Sequence, residues 1–178
     1  ATYPDGSVYE GAFAAGQPDG KGKITYKDGA TYEGDWKTGV IEGTGKATYA
    51  NGMVYEGQFA AGKNSGQGRM TYPDGYSYQG AWKDGVREVQ GVATYADGTV
   101  YTGSFAKGLR EGEGEIVMKD GFRYKGGWKA GVKDGRGKIT YPDGASYEGE
   151  MKADQRAGQG KLVMADGLTY EGGWAAGQ

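Results

Sequence analysis

Eight tyrosines, Tyr9, Tyr32, Tyr55, Tyr78, Tyr101, Tyr124, Tyr147 and Tyr170, recur at an unbroken spacing of 23 residues. A chain with such a period folds as a row of like units, each burying its apolar side against its neighbours. Counting from that Tyr as position 0, position 2 is Gly in every unit, from Gly11 and Gly34 to Gly149 and Gly172. Position 4 is large: Phe13, Trp36, Phe59, Trp82, Phe105, Trp128, Met151 and Trp174, an alternation that points to a two-unit ancestor. Gly returns at position 13, from Gly22 to Gly160, and an Asp-Gly or Asn-Gly pair such as Asp28-Gly29 or Asn51-Gly52 closes the unit. The sequence therefore reads as one continuous array over 1–178. Residues 1–8 end an incomplete unit, units begin at 9, 32, 55, 78, 101, 124, 147 and 170, and the last is incomplete.

Composition narrows what the units are. With 38 Gly and 4 Pro in 178 residues, a helical bundle is excluded. Val, Ile, Leu and Phe number only 21, too few for an ordinary aliphatic core. Yet 15 Tyr, 4 Trp and a net charge of −2 are the opposite of a disordered, charge-rich segment. Something orders the aromatics.

Within a unit, Tyr32, Gly34, Trp36 and, before them, Gly22, Ile24, Tyr26 alternate with polar residues, the period-two signature of short strands. The turn between them is the most specific local signal. Pro73-Asp74-Gly75 and Pro142-Asp143-Gly144 place Pro at the first central position of a type I turn and Gly at the left-handed position that follows. A three-residue hairpin loop of this kind sets the register: Tyr26 opposite Ala30, Thr25 opposite Thr31, Ile24 opposite Tyr32, Lys23 opposite Glu33, Gly22 opposite Gly34. The register is tested by its own copies. Lys46 faces Glu56, Arg69 faces Gln79, Lys138 faces Glu148, Lys161 faces Glu171, and Glu115 faces Lys125 with both signs reversed, as expected of directly opposed side chains.

The fold class that follows is all-β, an elongated single-layer antiparallel sheet of tandem β-hairpins. One face carries rings and aliphatics over rows of Gly, and the other carries Glu, Lys, Gln and Thr. Aligned strand glycines make sense if neighbouring rings lie over the missing side chains.

The pattern Tyr-Glu-Gly-x-Phe/Trp-x-x-Gly-x-x-x-Gly-x-Gly, followed by Tyr-x-Asp/Asn-Gly, runs from Tyr9 to Gly29 and again from Tyr32 to Gly52. It resembles the MORN repeat family, in eight in-phase copies over essentially the whole chain. The resemblance implies an elongated array of β-hairpins found in scaffold proteins, in modules appended to enzymes and in junctional proteins that tether membranes; it implies no single activity. The sequence departs from the pattern at Val89, which replaces a Gly at position 11, and at Met151 and Asp154, which replace the aromatic and the Gly at positions 4 and 7. Irregular loops are expected at 86–90 and 152–157.

Chemistry is restricted. Without Cys or His the chain forms no disulfide, no thiolate or imidazole metal site and no Cys- or His-based triad. The carboxylates recur at fixed positions, Asp28 and its copies in turns, Glu33 and its copies in cross-strand pairs, so that each shares its environment with its copies and none is set apart for acid–base work. Glu88 and Asp154 are off-pattern but have no nucleophile near them in sequence. The glycine-rich stretches 16–22 and 108–114 lack the phosphate-loop spacing and a following helix and read as hairpin loops. No catalytic residue, cofactor or metal is assigned, and the chain is expected not to be an enzyme. A nearly balanced charge argues against nucleic acid. No apolar run is long enough for a membrane helix, and no targeting segment is recognised in these residues. That leaves the compartment unassigned, with the cytoplasm favoured.

The ring face has two readings: self-packing, since a single layer has no other core, or a groove open to a partner. The groove reading places a partner protein or peptide against Trp36, Trp82, Trp128, Trp174, Phe59, Phe105, Tyr55, Tyr78 and Tyr101. Neither end shows a capping unit, so the array is read as part of something larger whose uncapped strand is a template for homo-oligomerisation. The leading expectation is a non-catalytic interaction scaffold. The alternatives are a membrane-proximal module contacting anionic phospholipid headgroups, disfavoured because Lys23, Lys46, Lys138 and Lys161 each face a Glu, and a regulatory or spacer array of a larger enzyme such as a lipid kinase or methyltransferase.

Overall fold

The computed structural model describes residues 1–178, the side chain of Val89 excepted. No helix forms among the described residues, and the chain divides into two compact units, Ala1–Arg87 and Glu88–Gln178. In the first, strands β1 (Val8–Ala14), β2 (Gln17–Thr25), β3 (Thr31–Lys37), β4 (Val40–Thr48), β5 (Val54–Ala60), β6 (Lys63–Thr71) and β7 (Ser77–Lys83) pair antiparallel in chain order. The unit boundary falls inside β8 (Val86–Thr94). From β8 the second unit continues in the same manner through β9 (Val100–Ala106), β10 (Leu109–Val117), β11 (Arg123–Lys129), β12 (Val132–Thr140), β13 (Ser146–Lys152), β14 (Gln155–Val163) and β15 (Thr169–Trp174).

The three-residue turns are as the sequence requires. The Tyr26 N–H donates to the Ala30 carbonyl at 2.8 Å, the Gly29 N–H donates back to the Tyr26 carbonyl at 3.0 Å, and Gly29 stands at φ +88°. Asp28 Oδ1 accepts the Ala30 N–H at 2.9 Å. Asn51, Asp74, Asp97, Asp120, Asp143 and Asp166 do the same for the residue two places on. The expected register holds, with Gly22 opposite Gly34, Lys23 opposite Glu33 and Ile24 opposite Tyr32.

The second connection is tighter than expected. Ala15-Gly16, with φ +49° and +78°, is a two-residue loop with both central residues left-handed, the geometry that matches strand twist in a type I′ hairpin. The stretches 16–22 and 108–114 are therefore mostly strand, within β2 and β10, and not loops. The expected irregular loops are corrected in the same way. Residues 86–90 lie in β8, while the departure at Val89 concerns a side chain outside the described residues. Residues 152–157 contain the same two-residue turn at Ala153-Asp154, with the register shift between β13 and β14 that the other hairpins of this type also show. The irregularity at this turn is chemical: Asp154 holds a left-handed φ of +68° where other units place Gly.

The core is built from position 0. Tyr9, Tyr32, Tyr55, Tyr78, Tyr101, Tyr124 and Tyr147 are fully buried. Each of Tyr9, Tyr32, Tyr55, Tyr101, Tyr124 and Tyr147 lies over a pair of glycines facing each other across the strands, as Tyr55 lies over Gly57 and Gly68. Its hydroxyl donates to the carbonyl three residues on, Gln58 for Tyr55 at 2.8 Å. The glycine is needed for space: a Cβ at Gly68 would stand 2.2 Å from Tyr55 Oη and 2.4 Å from Cζ.

Gly68→Ala is accordingly expected to lower stability by about 3 kcal/mol, through overpacking and loss of the hydroxyl bond. Gly62→Ala, in a turn where nothing lies within 4 Å of the added carbon, should cost only about 1 kcal/mol for the left-handed backbone. Urea unfolding of the two variants checks the order; equal losses would refute the ring-over-glycine account.

Candidate interaction surface

The position-4 side chains close the core into a zipper. Trp36 stands edge-on between Tyr9 and Tyr32, with ring centroids 5.2 and 5.4 Å away. Phe59 stands between Tyr32 and Tyr55 at 5.0 Å from each, and Trp82 between Tyr55 and Tyr78. In the second unit Phe105 packs on Tyr101, Trp128 joins Tyr101 to Tyr124, and Trp174 joins Tyr147 to Tyr170. The edge-on arrangement is the one ring quadrupoles favour. Each Trp also ties itself to the preceding repeat: the Nε1–H groups of Trp36, Trp82, Trp128 and Trp174 donate at 3.0–3.1 Å to the carbonyls of Gly22, Gly68, Gly114 and Gly160.

These contacts correct the groove read from the sequence. Trp36, Trp82, Trp128, Phe59 and Phe105 are only 4–7% exposed, and Tyr55, Tyr78 and Tyr101 are fully buried. Trp174 alone of the nine is half-buried. The gap beside the position-2 glycines is filled by the protein's own Tyr, as beside Gly34 by Tyr32 and beside Gly57 by Tyr55. Burial pushes the hydroxyls of Tyr32, Tyr55, Tyr101 and Tyr124 up to about 12, the behaviour of core groups.

What the ring side presents outward is a layer that the period-23 reading passed over. Position 9 pairs with position 4 and sits over the rings. It is Pro18, Ile41 and Asn64 in the first unit, then Arg87 at its end, and Arg110, Lys133 and Arg156 in the second. Arg87 donates to the Tyr76 hydroxyl and lies 5.5 Å from the centres of the Tyr76 and Tyr78 rings. Beside this row, toward the three-residue turns, stand Tyr26, Tyr49, Tyr72 and Tyr76, and in the second unit Tyr95, Met118, Phe122 and Tyr141, all half-buried or exposed. The Tyr49 hydroxyl reaches Asn64 Oδ1 at 3.3 Å, and Phe122 meets Tyr141 edge-on at 6.0 Å. The signal for this layer was a second tyrosine in most repeats, at position 17.

The opposite face is charged and compensates itself. In register across the first unit run Glu10, Lys23, Glu33, Lys46, Glu56 and Arg69, alternating in sign. All but Arg69 line a shallow trough of about 960 Å³ above the glycine rows. Lys46 and Glu56 are 3.4 Å apart, and Lys21 and Asp35 2.6 Å. Hydrogen bonds from Lys21 and from the Thr44 N–H hold the Asp35 carboxyl below its usual value. One expectation fails in detail: Glu115 is opposite Lys125 in register, but its carboxylate meets Arg123 at 3.3 Å, and Lys125 also faces Lys138. Strands with two neighbours have two sets of opposed pairs, and the three-residue turn fixes only one of them.

Several other carboxylates serve the turns. Asp19, Glu42 and Glu111 accept N–H groups of Thr38, Ala61 and Ala130, at the two-residue turn of the next repeat. Asp154 replaces a turn Gly and faces Lys133, with Oδ1 2.9 Å from both its Nζ and its N–H. In the repeats on either side, Arg110 and Arg156 instead donate to the carbonyls of Gly131 and Gly177, the residues standing where Asp154 does. The shorter Lys and the acidic turn residue thus come as a matched pair. Burial raises the Asp154 carboxyl, and the hydrogen bonds from Lys133 outweigh it, leaving a net lowering.

The family model of the MORN repeat matches residues 9–31, 32–54, 55–75, 78–100, 101–123, 124–146 and 147–169, seven consecutive units. No protein of curated function matches the sequence. Among solved structures, the chain is similar to the wild-type TCP10 domain of Danio rerio CPAP. That match has 18% identity over 96% of this chain and 81% of that one, with a TM-score of 0.55, and shows a shared fold. A looser likeness, TM-score 0.43 at 17% identity over 90% and 96% of the two chains, is to the TCP domain of Drosophila melanogaster SAS-4 (dCPAP) in complex with a proline-rich motif of Ana2 (dSTIL).

The Lys133–Asp154 pair makes stability depend on acid pH. The folded carboxyl is depressed, so its contribution is present above the ordinary value of 3.8 and is lost as pH falls through the lower folded value. Asp154→Asn keeps a residue tolerant of left-handed backbone and is expected to lose about 1 kcal/mol at neutral pH, a difference that vanishes in acid. Urea unfolding at both pH values checks this; a loss that persists in acid would mean the charge is not its cause.

Proposed function

The chain belongs to the MORN repeat family, and from that premise we propose that it is a non-catalytic scaffold that binds an extended segment of a partner protein along the ring side of its sheet. The observation that carries this reading is the separation of two aromatic layers. The inner one is spent on the core, while the outer one stays accessible, with Tyr26, Tyr49 and Tyr72 at one-repeat intervals in one unit and the Phe122–Tyr141 pair in the other. Tyr is enriched where interfaces need large contact area at low entropic cost. The spacing suits an extended chain: one repeat is two strands, about 9.6 Å, close to three residues of extended or polyproline-type peptide at roughly 3.1–3.3 Å each. The charged face supports binding less, because its side chains already neutralise one another. The absence of catalysis belongs to the same reading, since many of the carboxylates hold turns and neighbouring strands.

The test is selection from a displayed library of random peptides on the full chain, followed by titration of the selected peptides. Phe122→Ser combined with Tyr141→Ser is expected to weaken peptides bound by the second unit about tenfold or more, with the circular dichroism spectrum unchanged. Lys46→Gln with Glu56→Gln should leave affinity as it was. Selection of nothing above scrambled controls, or binding lost only on charged-face changes, would overturn the proposal.

A further inference from the structure

Position 9 changes in chemistry along the chain. Pro18, Ile41 and Asn64 are uncharged, Arg87 ends the first compact unit with a cation engaged by Tyr76, and in the second unit Arg110, Lys133 and Arg156 place a cation on the ring side in three successive repeats. The Arg110 guanidinium carbon lies 4.4 Å from the centre of the Trp128 ring and 5.7 Å from that of Tyr101. Arg156 repeats the arrangement at 4.1 Å from Trp174 and 5.8 Å from Tyr147. Nη2 of each donates at 2.8 Å to a turn carbonyl, Gly131 or Gly177. The two heads are therefore fixed over indoles and tied to neutral acceptors, and a guanidinium has five N–H donors to offer. Lys133, between them, is committed to Asp154, a carboxylate that also lies within the field of Arg110. Glu111, next to Arg110 in sequence, is turned to the Ala130 N–H.

We propose that the ring side of residues 88–178 selects an acidic extended peptide, two of whose carboxylates, six residues apart, seat on Arg110 and Arg156. This rests on the peptide-scaffold reading above and adds the chemistry of the partner. The spacing follows from geometry. The two arginines are two repeats apart, four strand spacings or about 19 Å. A polyproline-type peptide rises roughly 3.1 Å per residue and returns every third residue to the same side, so residues i and i+6 lie about 19 Å apart facing one way. An α-helix covers only about 9 Å in six residues and turns the second carboxylate away. The residue at i+3 faces the Lys133–Asp154 pair, where a third acid gains little. A fixed guanidinium fork is suited to carboxylates, which it binds through two parallel N–H bonds. A membrane fits less well. Lipid attraction grows with clustered, protruding cations, and here the heads are half-buried over rings in a single file, on a chain of net charge −2.

The experiment titrates the full chain with synthetic proline–alanine peptides carrying two Glu at i and i+6, two Glu at i and i+4, or two Lys at i and i+6. The fluorescence of Trp128 and Trp174, beneath the arginines, is the readout. The i,i+6 Glu peptide is expected to bind at least tenfold more tightly than either control and to weaken with added salt. Arg110→Gln with Arg156→Gln should abolish the preference. Uncharged Ile41 and Asn64 already occupy this position in other repeats, so the fold should tolerate the change, and the Lys-peptide comparison needs no variant at all. Affinity independent of spacing or of charge sign, or a preference that survives the double variant, overturns the inference. If library-selected peptides bind the ring side but the acidic one does not, the acidic inference fails and the scaffold reading stands; if neither binds, both fall. Arginine-dependent binding of phosphatidylserine vesicles with the peptides silent would assign the row to lipid and equally overturn it.

Discussion

Everything in this molecule depends on one contact, a tyrosine ring lying over two glycines that face each other across a strand pair. A lone sheet has no second layer to bury its apolar face, so it must make a core within the thickness of its own side chains. Removing the side chains at Gly57 and Gly68 opens a slot of ring thickness, and Tyr55 fills it and is fully buried. The hydroxyl, which would otherwise be a buried unsatisfied donor, finds the Gln58 carbonyl. Once the slot is full, Phe59 and Trp82 can meet the ring only by its edges, and each Trp indole reaches back to the previous repeat. An insertion of even one residue would reverse the faces of the following strand and empty the slot, which explains a spacing of 23 that never varies over eight tyrosines.

The core is filled at positions 0, 2, 4, 13 and 15, the last carrying the buried Ile24, Ala47, Met70, Ala93, Ile116 and Ile139, and most side chains outside these positions are packed less tightly. Position 9 shows this most plainly. It holds an imino ring, an aliphatic, an amide and two kinds of cation in successive repeats without altering the hairpins. Where the change does disturb the local bonding, a second change answers it. Lys133 does not repeat the Arg-to-carbonyl bond of its neighbours, and Asp154 supplies a carboxylate to meet it, accepting a left-handed backbone that Gly would adopt at no steric cost.

The register and the three-residue turns were legible in the sequence because each is reported by several residues at once. Asp28-Gly29 fixes a bulge, and Lys23 with Glu33 confirms the pairing that the bulge imposes. The two-residue turn was not legible, since Ala15, Thr38 and Lys107 are not residues that turn statistics favour at positive φ. They adopt φ near +46° to +50° because the strands on either side, pinned by the tyrosine slots, demand a type I′ connection. The nine candidate contact residues were correctly placed on the ring face, but periodicity tells which side a residue faces and not what lies on top of it. Whether the gap beside Gly34 is filled from within or from without is a question of volume, answered only by the position of Tyr32. The diagonal meeting of Glu115 with Arg123 was hidden because register names the residue directly opposite and not the long side chain two places along the same partner strand, and Lys125 facing Lys138 was hidden because pairing along one hairpin ignores the neighbour on its other edge.

A structural consequence concerns where such an array can store specificity. Changes at the slot are felt as overpacking or as a void, and are answered by instability before they are answered by altered recognition. Where position 9 is half-buried, as at Ile41, Arg110, Lys133 and Arg156, and in the outer tyrosines, changes touch the core mainly through ring faces and can be varied repeat by repeat at small cost. Within each compact unit the repeats set positions two strand spacings apart, and the proposed peptide reading uses them as marks of varying chemistry: Pro18, Ile41 and Asn64 in the first unit, Arg110, Lys133 and Arg156 in the second. Recognition by such a surface is a matter of matching a sequence of side chains to a sequence of marks, which favours ligands that are themselves linear over ligands that must be enclosed.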